Sequence, residues 1–364
     1  MMKLPFAISD PILPAAPTGA ERRVDSVVLP YLVDPRDVVF TRLTFRAVTR
    51  VLPVALLLFL VPTWVVALAA IPYLAWIFTG YAGPVMLMLH AVTHRPVFKK
   101  RHRYLDRVIT HGLPMFWGLT PAAYHPHHVL MHHTENNGVD DLSSTAAYRR
   151  DDFGHFLHYW ARFAFFGYWH MVSWLARRGK LDVAARMVAG ELVAFGLMAL
   201  AVWLNPAAGF VVFVAPFLLL RFLMMAGNWS EHAFMDADAP TNSWRNSTCL
   251  LNTPYNHRSF NAGYHLLHHL KPGLHWAEAP AAFQKDLQRY VDNDAIIFNG
   301  VRNNQQIWWK LMTGDYGFLA DRLVDLADRR PTREAKIAFL QERVRGQNGA
   351  MKGMVDRVEA RPAL

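Results

Sequence analysis

Five histidines, His125, His127, His128, His132 and His133, fall within nine residues of the stretch YHPHHVLMHHTENNGVDD that begins at Tyr124. Neutral imidazole is a metal ligand, and few roles other than metal ligation call for so many imidazoles so close together. Surface clustering or a purification tag is the plainer alternative, but a tag sits at a terminus and lacks the interleaved Val129, Leu130 and Met131. If the segment is helical, residues four apart share a face. His128 and His132 then point the same way, with His133 one step round. Three further groups lie elsewhere in the chain: His90 and His94 in HAVTH, Asn228 and His232 in NWSEH, and His265, His268 and His269 in NAGYHLLHH. Each has the i, i+3 or i, i+4 spacing of one helical face. The single cysteine, Cys249, allows no intramolecular disulfide and no thiolate cluster, so imidazoles must carry any metal chemistry.

These groups need elements to bring them together. Of the 364 residues, 53% are hydrophobic and 18% charged, and the charged share is below the roughly 25% usual for soluble domains. The net charge of +10 coexists with long apolar runs, so basic loops facing an anionic leaflet explain it better than nucleic acid does. The first runs are read at residues 51–70 and 71–90, with the turn at Pro72, each near the ~20 residues needed to cross the hydrocarbon core. A second pair is read at residues 187–203 and 209–227, joined by LNPAA. Both connections lack charge, whereas Arg42, Arg46 and Arg50 precede the first run and Arg95, Lys99, Lys100, Arg101 and Arg103 follow the second. The positive-inside rule therefore predicts cytoplasmic ends for both hairpins.

The expected fold is an all-α integral membrane protein: four transmembrane helices in two hairpins under a cytoplasmic helical cap. Residues 1–47 are read as an N-terminal cytoplasmic segment, 48–302 as the membrane domain and 303–364 as a cytoplasmic helical tail broken at Pro331. The aromatic-rich stretch from Phe153 to Trp174 is read as interfacial, and its His155, His158 and His170 as structural, like His102 and His111. In this topology all four histidine groups fall at or beyond the cytoplasmic end of the hairpins, where they can meet. The expected ligand set is His90, His94, His128, His132, His133, His232, His265, His268 and His269, with His125 or His127 as substitutes. One tetrahedral ion needs four ligands, so nine imply at least two ions. Imidazole suits iron, zinc and copper alike and does not choose among them.

HAVTH, HVLMHH and HLLHH resemble the three histidine boxes of the membrane fatty acid desaturase and hydroxylase superfamily. Asn228 and His232 resemble the additional histidine and nearby asparagine of its acyl-CoA desaturases. The resemblance covers about residues 90–276 and implies a non-haem di-iron centre that activates dioxygen, with an acyl chain held in an apolar tunnel beside it. It also implies carboxylates orienting the imidazoles; Glu135, Asp140, Asp141 and Glu231 are the candidates, each with the alternative of an ordinary solvated loop charge. The middle box has three residues between its first histidine and the HH pair where many desaturases have two, and a second pair, His127 and His128, precedes it. HHVLMHHTENNGVDDLSST and FNAGYHLLHHLKPGLHW are most similar to a bacterial branch, which implies an inner-membrane location. That branch includes fatty acid decarboxylases that make terminal alkenes.

Three readings stay open: desaturation of a fatty acyl chain; oxidative decarboxylation or hydroxylation of a fatty acid on the same scaffold; and a zinc-dependent membrane hydrolase or metal carrier. No HExxH places a general base beside a zinc ion. Decarboxylation requires an acid headgroup held near the metals, for which Arg221, Arg258 and His275 are candidates. No fused redox domain is legible, so electrons are expected from a separate donor, a ferredoxin or similar protein with its reductase, drawn to the basic loops.

Overall fold

A computed structural model describes residues 3–346. Among the described residues helix accounts for 67% and the sheet has two strands, so the all-α expectation needs one small amendment. Among the described residues, three helices are long and apolar enough to cross a membrane: Thr63–His94, Leu181–Leu204 and Pro206–Glu231.

The expected first hairpin is corrected. Pro72 lies inside a helix, and the chain instead reverses at residues 58–62. A proline disfavours helical backbone at the residue before it; the break forms at Val61-Pro62, with Pro62 extended just before the helix starts. At Pro72 only one backbone hydrogen bond is lost, and the helix continues. The two runs expected at 51–70 and 71–90 thus belong mostly to one helix of 32 residues, roughly 48 Å long at ~1.5 Å per residue. Its antiparallel arm is residues 38–57, and Arg42, Arg46 and Arg50 keep that arm out of the apolar class. Arg42 is buried against Asp25 (2.6 Å), so its charge is paired inside the protein.

The expected second pair, 187–203 and 209–227, falls within Leu181–Leu204 and Pro206–Glu231. Asn205 caps its second helix by accepting from the Ala208 amide at 3.1 Å. The arms approach so tightly that a Cβ on Gly209 would lie 2.6 Å from Val202 Cα.

The cap is tied down by pairing. Strands Thr248–Leu251 and Ile296–Asn299 are parallel, with Thr248 opposite Ile296. Parallel strands need a long crossover, and here the crossover carries the helix His265–Leu270. The Leu250 amide also donates to the Gly263 carbonyl at 2.7 Å, fixing the entry to that helix. The N-terminal segment joins the cap as well, since Asp10 accepts from Tyr264 Oη (2.7 Å). Of the expected C-terminal tail, residues 347–364 lie outside the described residues. Its earlier part packs Ile307, Leu311, Leu340 and Val344 into one core with Phe234 and Phe298, and Thr332 caps the helix Arg333–Arg343 after the break at Pro331.

Candidate metal centre

Local helix geometry decides which histidines share a face. His90 and His94 occupy the last turn of Thr63–His94, an ordinary α segment, and their rings meet edge to face at 5.4 Å. The middle box differs. Residues Pro126–His132 form a π-helix, whose i→i+5 bonding widens the turn, and Pro126 brings no N–H to the preceding turn. Residues five apart therefore face together: His133 Nε2 lies 3.2 Å from His128 Nε2, and the His127 ring stacks over His132 at 6.2 Å. The rings of His128 and His132 also stack, at 5.7 Å, in line with their expected common direction, although the two belong to different groups.

The first group comprises His90, His94, His128 and His268, whose ring nitrogens all lie within 4.8 Å of one another. His133 joins it, with Nε2 2.9 Å from His268 Nε2. The second group is His132, His232, His265 and His269. Within it His265 Nε2 lies 3.2 Å from His232 Nε2 and 3.1 Å from His269 Nε2. All nine histidines of the expected set are thus brought together, and HVLMHH and HLLHH each contribute to both groups. The rings of His133 and His269, 4.8 Å apart, connect the two.

The outer nitrogens show which way the lone pairs point. His132 Nδ1 lies 2.7 Å from Asp141 Oδ2, and Ser143 Oγ donates to the other Asp141 oxygen at 2.8 Å. His232 Nδ1 donates to the Asn246 carbonyl at 2.9 Å. A ring whose Nδ1 carries the proton presents a bare lone pair at Nε2. His132 Nε2 and His94 Nε2 are buried without a hydrogen-bond partner. Lone pairs that converge and cannot share protons are what a metal ion satisfies, so the residues fit one ion in each group. Burial keeps the rings neutral and competent as ligands: His128, His265, His268 and His269 are held well below the ordinary imidazole range, His232 falls to about 3 and His133 to about 2. Burial alone would raise the Asp141 carboxyl, but His132 beside it overcomes that and holds it well below the carboxylate range.

The other candidates have different surroundings. Glu231 accepts from Asn304 at 2.7 Å and sets its second oxygen 3.5 Å from His265 Nδ1. Glu135 accepts from Trp174 Nε1 at 3.2 Å and pairs with Arg178; Asp140 is exposed. Asn228 donates to the Ser143 carbonyl (3.0 Å) and Tyr159 Oη (2.8 Å), bracing the loop that carries Asp141. Asn261 has left-handed backbone, φ 57°, and spans the Pro11 and Trp276 carbonyls. His125 is exposed and outside both groups, whereas His127 sits against Phe163 with a buried, unpartnered Nε2. His155 accepts from the Arg149 amide at 2.9 Å, and His158 meets Tyr148 Oη at 3.1 Å.

Of the three headgroup candidates, two are spent on structure. Pro84 has no N–H for the Gly80 carbonyl, and Arg258 supplies the missing donor, reaching the Thr79 carbonyl at 2.6 Å and that of Gly80 at 3.1 Å. His275 Nε2 lies 3.0 Å from Asp37 Oδ1, tying the cap to the start of the first arm. Arg221 instead lines a cavity of about 50 Å³ with Thr120, His127, Leu142, Phe163 and Tyr168. Ser143, Thr120 and Tyr168 are the contributors that sequence reasoning missed; only the run LSST after Asp141 hinted at one of them.

Neither a curated protein nor a solved structure matches the chain. Residues 62–299 match the family model for fatty acid desaturases, a span that takes in every one of the nine clustered histidines and more than half of the chain. The protein therefore belongs to the fatty acid desaturase family, and it is an integral membrane oxidoreductase acting on acyl chains.

Proposed function

We propose that this protein carries out oxygen-dependent oxidation of a fatty acyl chain at two irons, one in each histidine group, with desaturation as the reaction. The observation that carries this reading is the convergence of nine imidazoles, of which His132 and His232 have their outer nitrogens committed to Asp141 and Asn246, in a chain of this family. Iron, when bound, supplies dioxygen activation and removal of hydrogen from a C–H bond. The chain's own residues do the rest. Asp141 and Ser143 hold the His132 proton on Nδ1, and the Asn246 carbonyl does the same for His232, so ring orientation is set before any ligand arrives. Apolar walls beside the site exclude water and hold one carbon nearest the metals.

In the proposed topology, residues 38–57 with Thr63–His94, and Leu181–Leu204 with Pro206–Glu231, form two hairpins whose turns lie on the far side of the membrane. Trp64 and Trp203, 66% and 78% exposed beside those turns, suit the opposite headgroup layer. The exposed Phe165, Phe166 and Trp169 suit the near one. The histidine groups and both termini are then cytoplasmic, in a bacterial inner membrane. Lys99, Lys100, Arg101, Arg103 and Arg107, all exposed, offer a landing face to an acidic electron donor such as a ferredoxin.

The test is to purify the protein, determine its metals, and supply deuterated C12 to C18 substrates with oxygen and reductant. About two irons per chain and an unsaturated product of unchanged length support the reading. Stoichiometric zinc, with activity independent of oxygen, would establish the hydrolase alternative instead. A chain-shortened terminal alkene would establish decarboxylation instead.

A further inference from the structure

Glu191 sits within the apolar helix Leu181–Leu204 and is 5% exposed. A carboxylate at such a position is expensive and persists where it has a specific partner. Its Oε1 accepts from the Ala123 amide at 2.9 Å. Ala123 lies in the first turn of a helical run that opens at Pro121 and continues through Pro126–His132 to Glu135. The first amides of a helix have no partner within it and are usually served by the side chain of the residue just before it. That residue is Thr120, which makes no such bond. Its Oγ1 instead lies 2.8 Å from Tyr168 Oη and accepts from Arg221 at 3.3 Å. The cap is therefore supplied by a different helix.

Glu191 is held in turn by its neighbours. Arg221 also bonds the Tyr168 hydroxyl, and the charge of Glu191 bears on the same hydroxyl, so Tyr168 stands between the carboxylate and its counter-charge. One residue earlier, Gly190 packs against the same helical run so closely that a Cβ on it would lie 2.5 Å from the Ala122 Cβ. A close approach at one residue and a hydrogen bond at the next fix both the height and the rotation of the start of the run. Downstream, that run carries His128 and His133, which serve the first histidine group, and His132, which serves the second.

We propose that Glu191 is the positioning residue of the middle histidine box: a carboxylate on a membrane helix caps the run that carries the box, with Gly190 setting the distance, and so aims ligands of both groups at once. This rests on the reading of the histidine groups as metal sites. Asp141 and Asn246 each hold one ring of the second group, whereas Glu191 holds the backbone that presents three rings.

Glu191→Gln keeps an acceptor for the Ala123 amide and Glu191→Leu removes it, so the pair separates the cap from the charge. Cobalt(II) is titrated into the intact, detergent-solubilised, metal-free protein and followed by its visible absorption, which reports the ligand field. Glu191→Leu should bind roughly 10-fold more weakly at both groups, the size usual when a group that aims a ligand is lost, and Glu191→Gln should stay close to the wild type. Gly190→Ala should weaken binding likewise, and combining it with Ala122→Gly, which returns the space, should restore it. Asn205→Ala removes a cap at the turn of the same hairpin, controls for lost stability alone, and should leave both affinities unchanged. Wild-type cobalt binding by Glu191→Leu overturns the proposal. Equal weakening in Glu191→Gln also overturns it, since the charge opposite Arg221 and not the cap would then matter, and so does equal weakening in Asn205→Ala. If Glu191→Leu does not fold, Gly190→Ala and its double variant decide. Amide hydrogen exchange across residues 121–133 of the metal-free protein reads the positioning with no metal present, and it should quicken in Glu191→Leu. A wild type that takes up no cobalt while that quickening is seen would sink the metal reading and leave the anchor standing; unchanged exchange would sink the anchor.

Discussion

At the scale of single residues, the site divides into ligands, whose spacing is visible in the chain, and the groups that aim them, which are not. Asp140 and Asp141 are adjacent and chemically alike, yet one is exposed and the other lies 2.7 Å from His132. The choice is made by Asn136 and Asn137, both in the left-handed region at φ 48° and 61°, where asparagine is tolerated; that backbone turn folds the loop back onto the box. Asp141→Asn should lower metal affinity 10- to 100-fold, as is usual when such a partner is lost. Glu135→Gln, at a carboxylate held by Trp174 and Arg178 rather than by an imidazole, should leave metal content unchanged, and elemental analysis of the two variants checks both statements. Acidity should act in the same direction as Asp141→Asn. The buried imidazoles titrate below their unfolded value of ~6.5, so below that pH the unfolded chain takes up protons that the folded one refuses. Stability of the metal-free protein should therefore fall as pH drops from ~6.5. The loaded protein should release metal over the same range, because protons compete for the ligand nitrogens. Melting temperature and bound metal that stay flat between pH 7 and 5 would show that the histidines are not held neutral.

Among the elements, periodicity read from the sequence succeeded where the helix is regular and failed where proline changes it. HAVTH and HLLHH sit in α-turns, and His90 with His94, and His265 with His269, pair as their spacing dictates. HVLMHH lies in a π-turn begun by Pro126, and no count of residues per α-turn could have shown that His128 pairs with His133. The second hairpin was legible because Asn205-Pro206 is a cap followed by a proline at the first helical position, where no N–H is needed. In the first, two prolines ten residues apart offered rival turns, and the rule that a proline ends a helix selected the wrong one. Labelling distinguishes them. Single cysteines at Leu60 and Leu204 should react with a membrane-impermeant maleimide applied from one side, since the proposed topology puts both at far-side turns, and the native Cys249 is buried. A cysteine at Pro72 should stay unlabelled, shielded by lipid some way along the helix. Reaction at Pro72 with none at Leu60 would return the turn to where the sequence alone placed it.

Across the whole molecule, the pieces that flank the metal groups are joined by one residue that no motif announces. Arg150 is fully buried and forms no ion pair with a carboxylate among the described residues; it spends its donors on backbone carbonyls from three separate stretches. Nε reaches Ala233 at 2.8 Å, Nη1 reaches Tyr148 at 3.1 Å and Thr145 at 3.3 Å, and Nη2 reaches Arg343 and Arg345, each at 2.7 Å. Ala233 follows His232, and Thr145 closes the loop that carries Asp141, so the clamp sets two supports of the second histidine group against the C-terminal helix. The same side chain thus couples residues 343–345 to the metal centre, although a reading from sequence assigns them to a tail. Arg150→Met fills similar space while stranding several buried carbonyls, each of which costs ~1–3 kcal/mol when left unpaired. The variant should lose at least ~3 kcal/mol of stability, seen as a lower denaturation midpoint in tryptophan fluorescence. It should retain less metal in the second group than in the first, because His90 and His94 stand on a membrane helix that the clamp does not touch. Arg150→Lys, which keeps a charge but not the fork, should fall between. A melt and a metal content equal to those of the wild type in Arg150→Met would mean that the C-terminal helix is an appendage and that the centre is held by the membrane hairpins alone.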